Sequence, residues 1–223
     1  HITAFFKGVE GSSVLPSWSE IEVDEEVLVS PLELFAEHEK VKQCDVIVVG
    51  WIYQLLEFKG KNMNVFYWEQ GHESLFGDIP DYGFLPGIRR SLDVCYRAGI
   101  PIVSVSSFVA KVLKARYDLE TEVITNGIDT NVFQPLLHRE ESSMPIVLLV
   151  GSPHLRFKGF SDALKALKVV WDSGVRFKVH WICQQKSDLK MDFPITYFVQ
   201  PKQDELVSIY QRADLLLCAS WYE

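Results

Sequence analysis

The sequence has no uncharged apolar run that approaches the ~20 residues needed to span a bilayer. No secretory signal is visible at its N-terminus either. These two absences argue against an integral membrane protein and against a secreted one. We therefore expect a cytoplasmic protein, with the inner face of the membrane as an alternative location that the acidic net charge does not favour.

Cysteine is scarce, and no CxxC pair or Cys/His cluster occurs. Each of the four cysteines lies inside or beside an apolar run: Cys44, Cys95, Cys183 and Cys218. This pattern excludes a disulfide framework and a zinc site, so we expect small buried side chains in a reducing compartment.

Basic residues are fewer than acidic ones, 22 against 30, for a formal net charge of −8. Nucleic-acid-binding surfaces need clustered Lys and Arg, so we expect no nucleic acid partner. Residues 1–144 hold 12 basic and 22 acidic residues, whereas residues 145–223 hold 10 and 8. The C-terminal part is therefore the better candidate for a phosphate ligand, with ordinary surface variation as the alternative.

Apolar material is plentiful: 48% of the 223 residues are hydrophobic, which is enough to bury one large or two small cores. Short β-branched runs alternate with segments of helical spacing. The predicted strands are 2–6, 27–29, 45–50, 64–68, 100–105, 122–125, 145–150, 177–183, 195–199 and 215–218. The predicted helices are 85–98, one that Ser106 or Ser107 caps, one from about 161 to Gly174, and 204–212.

This alternation predicts an α/β protein built from βαβ units with parallel sheets. The periodicity lapses in the polar stretch 136–144 and then restarts. We therefore predict two doubly wound domains, 1–135 and 145–223, with 136–144 as the linker between them.

Three motifs follow predicted strands. Asn126-Gly127 favours a turn with positive φ at Gly127, and the alternative is a plain loop. The segment 151–159 (GSPHLRFKG) joins a strand to a helix, so its backbone N–H groups and the helix dipole favour an anion near Arg156 and Lys158. Its alternative is a solvated basic turn.

The third motif runs from Pro201 to Glu223, and its last part, Ser220…Glu223, lies just beyond the strand 215–218. A carboxylate there lies at the carboxyl edge of a sheet, where α/β folds bind ligands, although a plain surface acid is the alternative. Upstream, the strand end 66–73 (FYWEQGHE) carries His72 in a polar cluster, and a loop histidine with no role is the alternative.

In their order and spacing, these motifs resemble the retaining glycosyltransferase family 4 (glycosyl transferases group 1), from about residue 45 to the last residue. The matching positions are Ser106, Ser107, Leu113, Asn126, Gly127, Ile128, Asp129, Phe133, Pro135, Lys158, Gly159, Leu164, Ala166, Leu167, Glu205, Leu206, Tyr210, Ala213, Asp214, Ser220 and Glu223. The segment 66–73 is similar to a Y-x-x-Q-x-x-E segment of some members.

The sequence also departs from the family pattern. Thr125 stands where the family has Pro, and Ser152 stands where it has an Arg that Arg156 would replace. The Gly-rich turn after the family's first strand is absent, and the second Glu of the E-x(7)-E pair would lie beyond Glu223. We therefore expect a fragment in which both domains are incomplete, so that the fragment alone need not be active.

The resemblance implies the GT-B fold, two Rossmann-like domains facing a cleft, with the acceptor on the N-terminal domain and the donor on the C-terminal one. It implies transfer of a sugar, of the hexosyltransferase type, from a nucleotide-diphosphate sugar to a hydroxyl acceptor with retention. The acceptor would be a carbohydrate, a lipid-linked group or another hydroxyl compound, in polysaccharide or glycoconjugate biosynthesis. No metal or other cofactor is implied.

The resemblance also assigns site residues. Glu223 and His72 would be catalytic, Glu223 facing the donor sugar and His72 the sugar ring or the acceptor. The donor diphosphate would be bound by Lys158, Arg156, Gly151, Ser152 and Gly159. The opposite side of the cleft would be lined by Asn126, Gly127, Ser106 and Glu73. Two alternatives stay open: a GT-B sugar-nucleotide epimerase or phosphorylase, and a non-catalytic two-domain sugar-binding protein.

Overall fold

A computed structural model of the chain describes residues 1–8, 22–76, 86–138 and 144–221. These residues divide into two compact units, one that ends at Gly127 and one that begins at Ile128. We call them the N-terminal and C-terminal units. The segment 136–144, predicted as the linker, lies within the C-terminal unit, and its residues 139–143 are outside the described part of the chain.

The N-terminal unit contains a parallel sheet whose four strands follow one another in sequence order, β3-β4-β5-β6. A separate parallel pair, β1-β2, precedes it. The strands are β1 (Thr3–Lys7), β2 (Glu25–Val29), β3 (Ile47–Val49), β4 (Val65–Glu69), β5 (Ile102–Ser104) and β6 (Glu122–Val123). The parallel register matches the expectation from the alternating strands and helices.

In the described residues five α-helices connect these strands, and the two long ones lie where the sequence predicted helices. They are α1 (Glu39–Lys42), α2 (Leu55–Phe58), α3 (Glu73–Phe76), α4 (Pro86–Tyr96) and α5 (Ser107–Tyr117), with 3-10 turns at Phe35–Glu37 and Ile52–Gln54. Ser106 caps α5, since its hydroxyl oxygen accepts the Val109 N–H at 3.2 Å. Gly99, with φ of +78°, follows α4 as its predicted terminator.

The core of the N-terminal unit lies against the sheet face that carries alternate residues of β4. Val65, Tyr67 and Glu69 are buried there, while Phe66 and Trp68 are half-buried on the other face. Helices and strands around them contribute Leu75, Leu92, Cys95, Tyr96, Val109 and Leu113. The period of two in β4 therefore places a carboxyl group in the same row as apolar core residues.

The C-terminal unit contains a second parallel sheet, in the order β10-β7-β8-β9. Its strands are β7 (Ile146–Val150), β8 (Lys178–Cys183), β9 (Ile195–Val199) and β10 (Leu215–Leu216), and its helices are α6 (Phe160–Asp172) and α7 (Gln203–Arg212). The chain builds outward from β7 to β9, and the connection through α7 then places β10 on the opposite side of β7.

Both faces of this second sheet are covered, as a doubly wound sheet requires. One face packs on α6, in a cluster with Val147, Leu149, Ala163, Leu164, Leu167, Val179 and Trp181. The other packs on α7, through Leu148, Ile182 and Ile209. The predicted fold class of parallel α/β sheets is confirmed. None of the helices in the described residues has the length and apolar character needed to cross a membrane.

Two local expectations were wrong in detail. Gly127 does not have the predicted positive φ, and a Cβ atom there would meet open space. The last strand of each sheet along the chain is shorter than predicted: β6 pairs with β5, and β10 with β7, over two residues each.

His180, in the middle of β8, gives a prediction about pH. Burial first, and then Arg212 and Lys178, lower the pKa of His180 below its ordinary value of 6.5. The folded protein therefore binds a proton on His180 less readily than the unfolded chain does. The stability that this difference contributes is present above pH 6.5 and is lost as pH falls through the lowered pKa. We expect the free energy of unfolding of the C-terminal unit to decrease from pH 7 to pH 5.

The His180→Phe variant is expected to weaken this pH dependence. Phenylalanine keeps a ring beside Phe198, whose centroid lies 5.1 Å from that of His180. Among the described residues, the buried Nδ1 of His180 has no hydrogen-bond partner, so the replacement breaks no bond at that atom. Denaturant titrations at both pH values measure the change, and an unaltered pH slope in the variant would contradict it.

Candidate functional site

The strand order of the C-terminal sheet identifies one edge as a candidate site. Ligands of open α/β sheets bind beyond the carboxyl ends of the strands, where the strand order reverses. Here the reversal lies between β7 and β10, because the chain leaves β7 on one side and returns on the other. We call the space beside the carboxyl ends of these two strands the β7–β10 crevice. The described strands of the N-terminal sheet follow in sequence order and show no such reversal.

The first predicted site residue at the crevice is Gly151, directly after β7. Its φ is +133°, a conformation that L-residues rarely adopt. Its N–H donates to the Ile182 carbonyl at 2.9 Å, and its carbonyl accepts the indole N–H of Trp181 at 3.0 Å. A Cβ atom here would lie 3.1 Å from the Phe160 ring. The backbone at the end of β7 is therefore held from two sides.

The segment 151–159, which we call the donor turn, brings the other predicted diphosphate residues to the start of α6. Ser152 follows Gly151 and accepts the Leu155 N–H through its carbonyl at 3.1 Å. Arg156 and Lys158 lie in a 3-10 turn, Arg156 exposed and Lys158 half-buried. Gly159, with φ of +65°, is the N-cap of α6.

The N-terminus of α6 has the properties of an anion site. Within the described residues no side chain caps it, since its N-cap is Gly159. The backbone N–H groups and the dipole of a helix start favour a negative ligand, and two cations lie in the turn just before. The residues predicted to bind the diphosphate all lie in this turn: Gly151, Ser152, Arg156, Lys158 and Gly159.

The segment after β10 packs directly on this turn. A Cβ atom on Gly159 would lie 1.9 Å from the carbonyl oxygen of Ala219. The Trp221 N–H donates to the Phe157 carbonyl at 2.8 Å, and its indole N–H donates to Asp162 Oδ2 at 3.1 Å. Glu223, the predicted catalytic carboxylate, lies outside the described residues.

The predicted residues of the N-terminal unit follow three neighbouring strands. His72 follows β4, Ser106 follows β5, and Asn126 with Gly127 follows β6. Because the three strands are parallel and adjacent, their carboxyl ends share one edge of the sheet. Asn126 and Gly127 are exposed there, and the hydroxyl oxygen of Ser106 is engaged in capping α5. Glu73 begins α3, and its side chain is outside the described part of the chain.

His72 belongs to a buried polar network. Glu69, the last residue of β4, is fully buried, and its Oε1 accepts the Gly71 N–H at 2.7 Å. The Tyr96 hydroxyl donates to Glu69 Oε2 and lies 3.2 Å from His72 Nε2. The other ring nitrogen, Nδ1, accepts the Leu75 N–H at 3.2 Å, so the neutral imidazole carries its proton on Nε2.

The tyrosines around Glu69 stay neutral. Burial, and then the charge of Glu69, raise the pKa of Tyr96 and of Tyr67 far above the ordinary value. The rings of Tyr96 and Tyr117 lie 4.3 Å apart between centroids, and burial also raises the pKa of Tyr117. Tyr96 is therefore a hydrogen-bond donor to Glu69 at physiological pH.

Sequence reasoning missed Glu69 and Tyr96 as members of this cluster. A signal for Glu69 was present, because it shares the two-residue period of Val65 and Tyr67. Tyr96 gave no comparable signal, since it lies 27 residues from Glu69 in sequence and meets it only through packing.

The C-terminal unit also contains a cavity that is separate from the donor turn. A cavity of about 630 Å³ lies between α7 and the segment 128–136, lined by Ile128, Phe133, Gln134, Pro135, Leu136, Leu206, Val207, Tyr210 and Gln211. It contains none of the predicted diphosphate residues.

Within the described ranges, no group of three or more His, Cys, Asp or Glu side chains is arranged to hold a metal ion.

The fold matches a solved structure of sucrose-phosphate synthase from Thermosynechococcus elongatus, with a TM-score of 0.66 over 85% of this chain. The shared fold is the GT-B fold. The sequence identity is 14%, so the likeness concerns the fold, and the chain spans 54% of that structure's length. No protein-family model matches the chain, and no curated protein matches it in sequence.

Proposed function

We propose that this chain is part of a glycosyltransferase that moves a sugar from a nucleotide-diphosphate sugar to an acceptor hydroxyl, with retention at the anomeric carbon. One observation carries the proposal: the β7–β10 crevice, where α/β sheets bind ligands, holds a glycine-bounded turn with two cations and an uncapped helix start. The GT-B fold supports the same reading.

The donor turn would act on the leaving group. Cleavage of the bond between sugar and phosphate leaves negative charge on the nucleoside diphosphate. Lys158, Arg156 and the N-terminus of α6 would stabilise that charge as it develops, which lowers the barrier to transfer. Following the family resemblance, Glu223 would face the donor sugar, and no metal ion would be required.

The acceptor would bind at the carboxyl edge of the N-terminal sheet. Asn126 and Gly127 are exposed there, and His72 follows the neighbouring strand β4. Both ring nitrogens of His72 lie within hydrogen-bond distance of protein atoms, so the imidazole ring would meet the substrate in a fixed orientation.

The Lys158→Ala variant is expected to weaken the binding of a nucleoside diphosphate about tenfold or more, because a charge-assisted hydrogen bond contributes roughly 1.5–3 kcal/mol. Calorimetry of the full-length protein with UDP, GDP and ADP measures the change. Lys168→Ala is the matched control, since Lys168 lies within α6, the helix that follows the turn, and pairs with Asp172 and Asp192. Equal affinities in wild type and Lys158→Ala would contradict the proposed role.

Product analysis then distinguishes transfer from the alternatives. The full-length protein, incubated with a panel of nucleotide sugars and candidate acceptors, should release the nucleoside diphosphate and form a glycoside of the same anomeric configuration. Interconversion of the nucleotide sugar without release would identify an epimerase, and release of a sugar phosphate would identify a phosphorylase. Binding without turnover would identify a non-catalytic sugar-binding protein.

A further inference from the structure

Asp162 poses an electrostatic problem for the proposed donor site. It is the third residue of α6, so its carboxylate lies in the first turn of the helix whose N-terminus is proposed to bind a diphosphate. A negative side chain there stabilises the helix dipole in the absence of ligand. The same charge repels an arriving anion and competes with it for the backbone N–H groups.

Trp221 contacts this carboxylate from the segment that follows β10. Its indole N–H donates to Asp162 Oδ2 at 3.1 Å, while Lys165 Nζ lies 3.5 Å from the other oxygen, Oδ1. Both oxygens of Asp162 therefore have a donor partner. The two donors fix the position of the carboxylate and balance part of its charge.

Trp221 is itself fixed on the donor turn. Its backbone N–H donates to the Phe157 carbonyl at 2.8 Å, and the Arg156 guanidinium lies 5.6 Å from the centroid of its ring. Two residues before, Ala219 packs so closely on Gly159 that no side chain would fit between them. The indole therefore reaches Asp162 from a backbone that the turn already holds in place.

We propose that Trp221 is a positioning residue for the donor: its indole N–H holds the Asp162 carboxylate in place and balances part of its charge, so that the N-terminus of α6 accepts the diphosphate. The inference rests on the proposed function, because it concerns the same anion site. It assigns Trp221 an effect on the phosphates of the ligand, transmitted through Asp162, and none on the nucleoside.

The expected results come from a double-mutant cycle in the full-length protein. Trp221→Phe keeps an aromatic ring beside Arg156 and removes the indole N–H, so we expect the Kd for the preferred nucleoside diphosphate to rise about three- to tenfold. Asp162→Asn removes the charge and is expected to leave that Kd unchanged or lower it. In the double variant, the effect of Trp221→Phe should largely disappear.

Two controls separate this role from a structural one. The Kd for the matching nucleoside, which lacks phosphates, should be the same in wild type and Trp221→Phe. Trp171→Phe makes the same exchange on α6, the helix of Asp162, but beside Arg176 at 4.4 Å, and it should not change the Kd for the diphosphate. A loss for diphosphate and nucleoside alike, or an equal loss with and without Asp162→Asn, would overturn the proposal.

The outcomes also separate this inference from the proposed function. If Lys158→Ala weakens diphosphate binding and Trp221→Phe does not, the donor site stands and the role of Trp221 is wrong. If neither variant changes the binding of any nucleoside diphosphate, the proposed donor site is wrong, and this inference is wrong with it.

Discussion

Replacement of Gly159 by alanine is expected to destabilise the C-terminal unit by about 2–4 kcal/mol and to abolish tight binding of a nucleoside diphosphate. Two costs add. Alanine at a φ of +65° loses roughly 1–2 kcal/mol, and its Cβ would lie 1.9 Å from a backbone carbonyl, which must move. The movement separates Ala219 from the donor turn, so the residues that follow β10 lose their position at the β7–β10 crevice.

Gly174→Ala is the matched control in the same unit. Gly174 follows α6 with φ of +99°, which is at least as unfavourable for alanine as the φ of Gly159, but a Cβ atom there would meet open space. Gly174→Ala should therefore lower stability through backbone strain alone and leave nucleotide affinity unchanged. Denaturant unfolding and calorimetry measure the two effects. Equal losses of affinity in both variants would show that the contact with Ala219 is not what matters.

Replacement of Glu69 by alanine is expected to destabilise the N-terminal unit by about 2–4 kcal/mol. The change leaves the Gly71 N–H and the Tyr96 hydroxyl without their acceptor and opens a cavity in a fully buried position. Glu69→Gln keeps the shape and one acceptor oxygen, so it should cost less than alanine. Urea denaturation, followed by tryptophan fluorescence, measures the free energy of unfolding of both variants and shows which one loses more.

Tyr96→Phe tests which part of the network matters. This variant removes the hydroxyl between Glu69 and His72 but keeps the ring packed against Tyr117. Its cost should be smaller than that of Glu69→Ala, because the Gly71 N–H keeps its acceptor. If Glu69→Ala stays within about 0.5 kcal/mol of wild type, as an ordinary surface substitution does, the buried carboxyl does not stabilise the segment 69–76.

The sequence predicted every strand of the two sheets because each strand is a local apolar run. The run 195–199 coincides with β9, and 145–150 contains β7 with one extra residue at its start. Ser106 was one of two candidate caps for α5, and its geometry confirms the mechanism. The short helices α1, α2 and α3 were not predicted, because four residues are too few to show a period of 3.6.

The candidate site also has a part that the sequence could predict and a part that it could not. The donor turn is one continuous segment, so its glycines, its two cations and the following helix could be placed together from their order alone. The network of Glu69, Tyr96 and His72 joins residues up to 27 positions apart, and no local pattern pairs them. The turn geometry at Gly127 was wrong because an Asn-Gly pair allows positive φ without requiring it.

By itself, the sequence determined that this protein is a parallel α/β protein with two series of strands, and it predicted a phosphate-binding turn after the first strand of the second series. Periodicity, glycine and charge are local properties, so they can be read along the chain. Only the tertiary structure decided that β10 lies beside β7, that Ala219 leaves room for nothing but glycine at residue 159, and that Trp221 reaches Asp162. These contacts join residues about 60 positions apart. They depend on the packing of α6 and α7 on the two faces of the sheet and on the place of β10 beside β7, which no local pattern records.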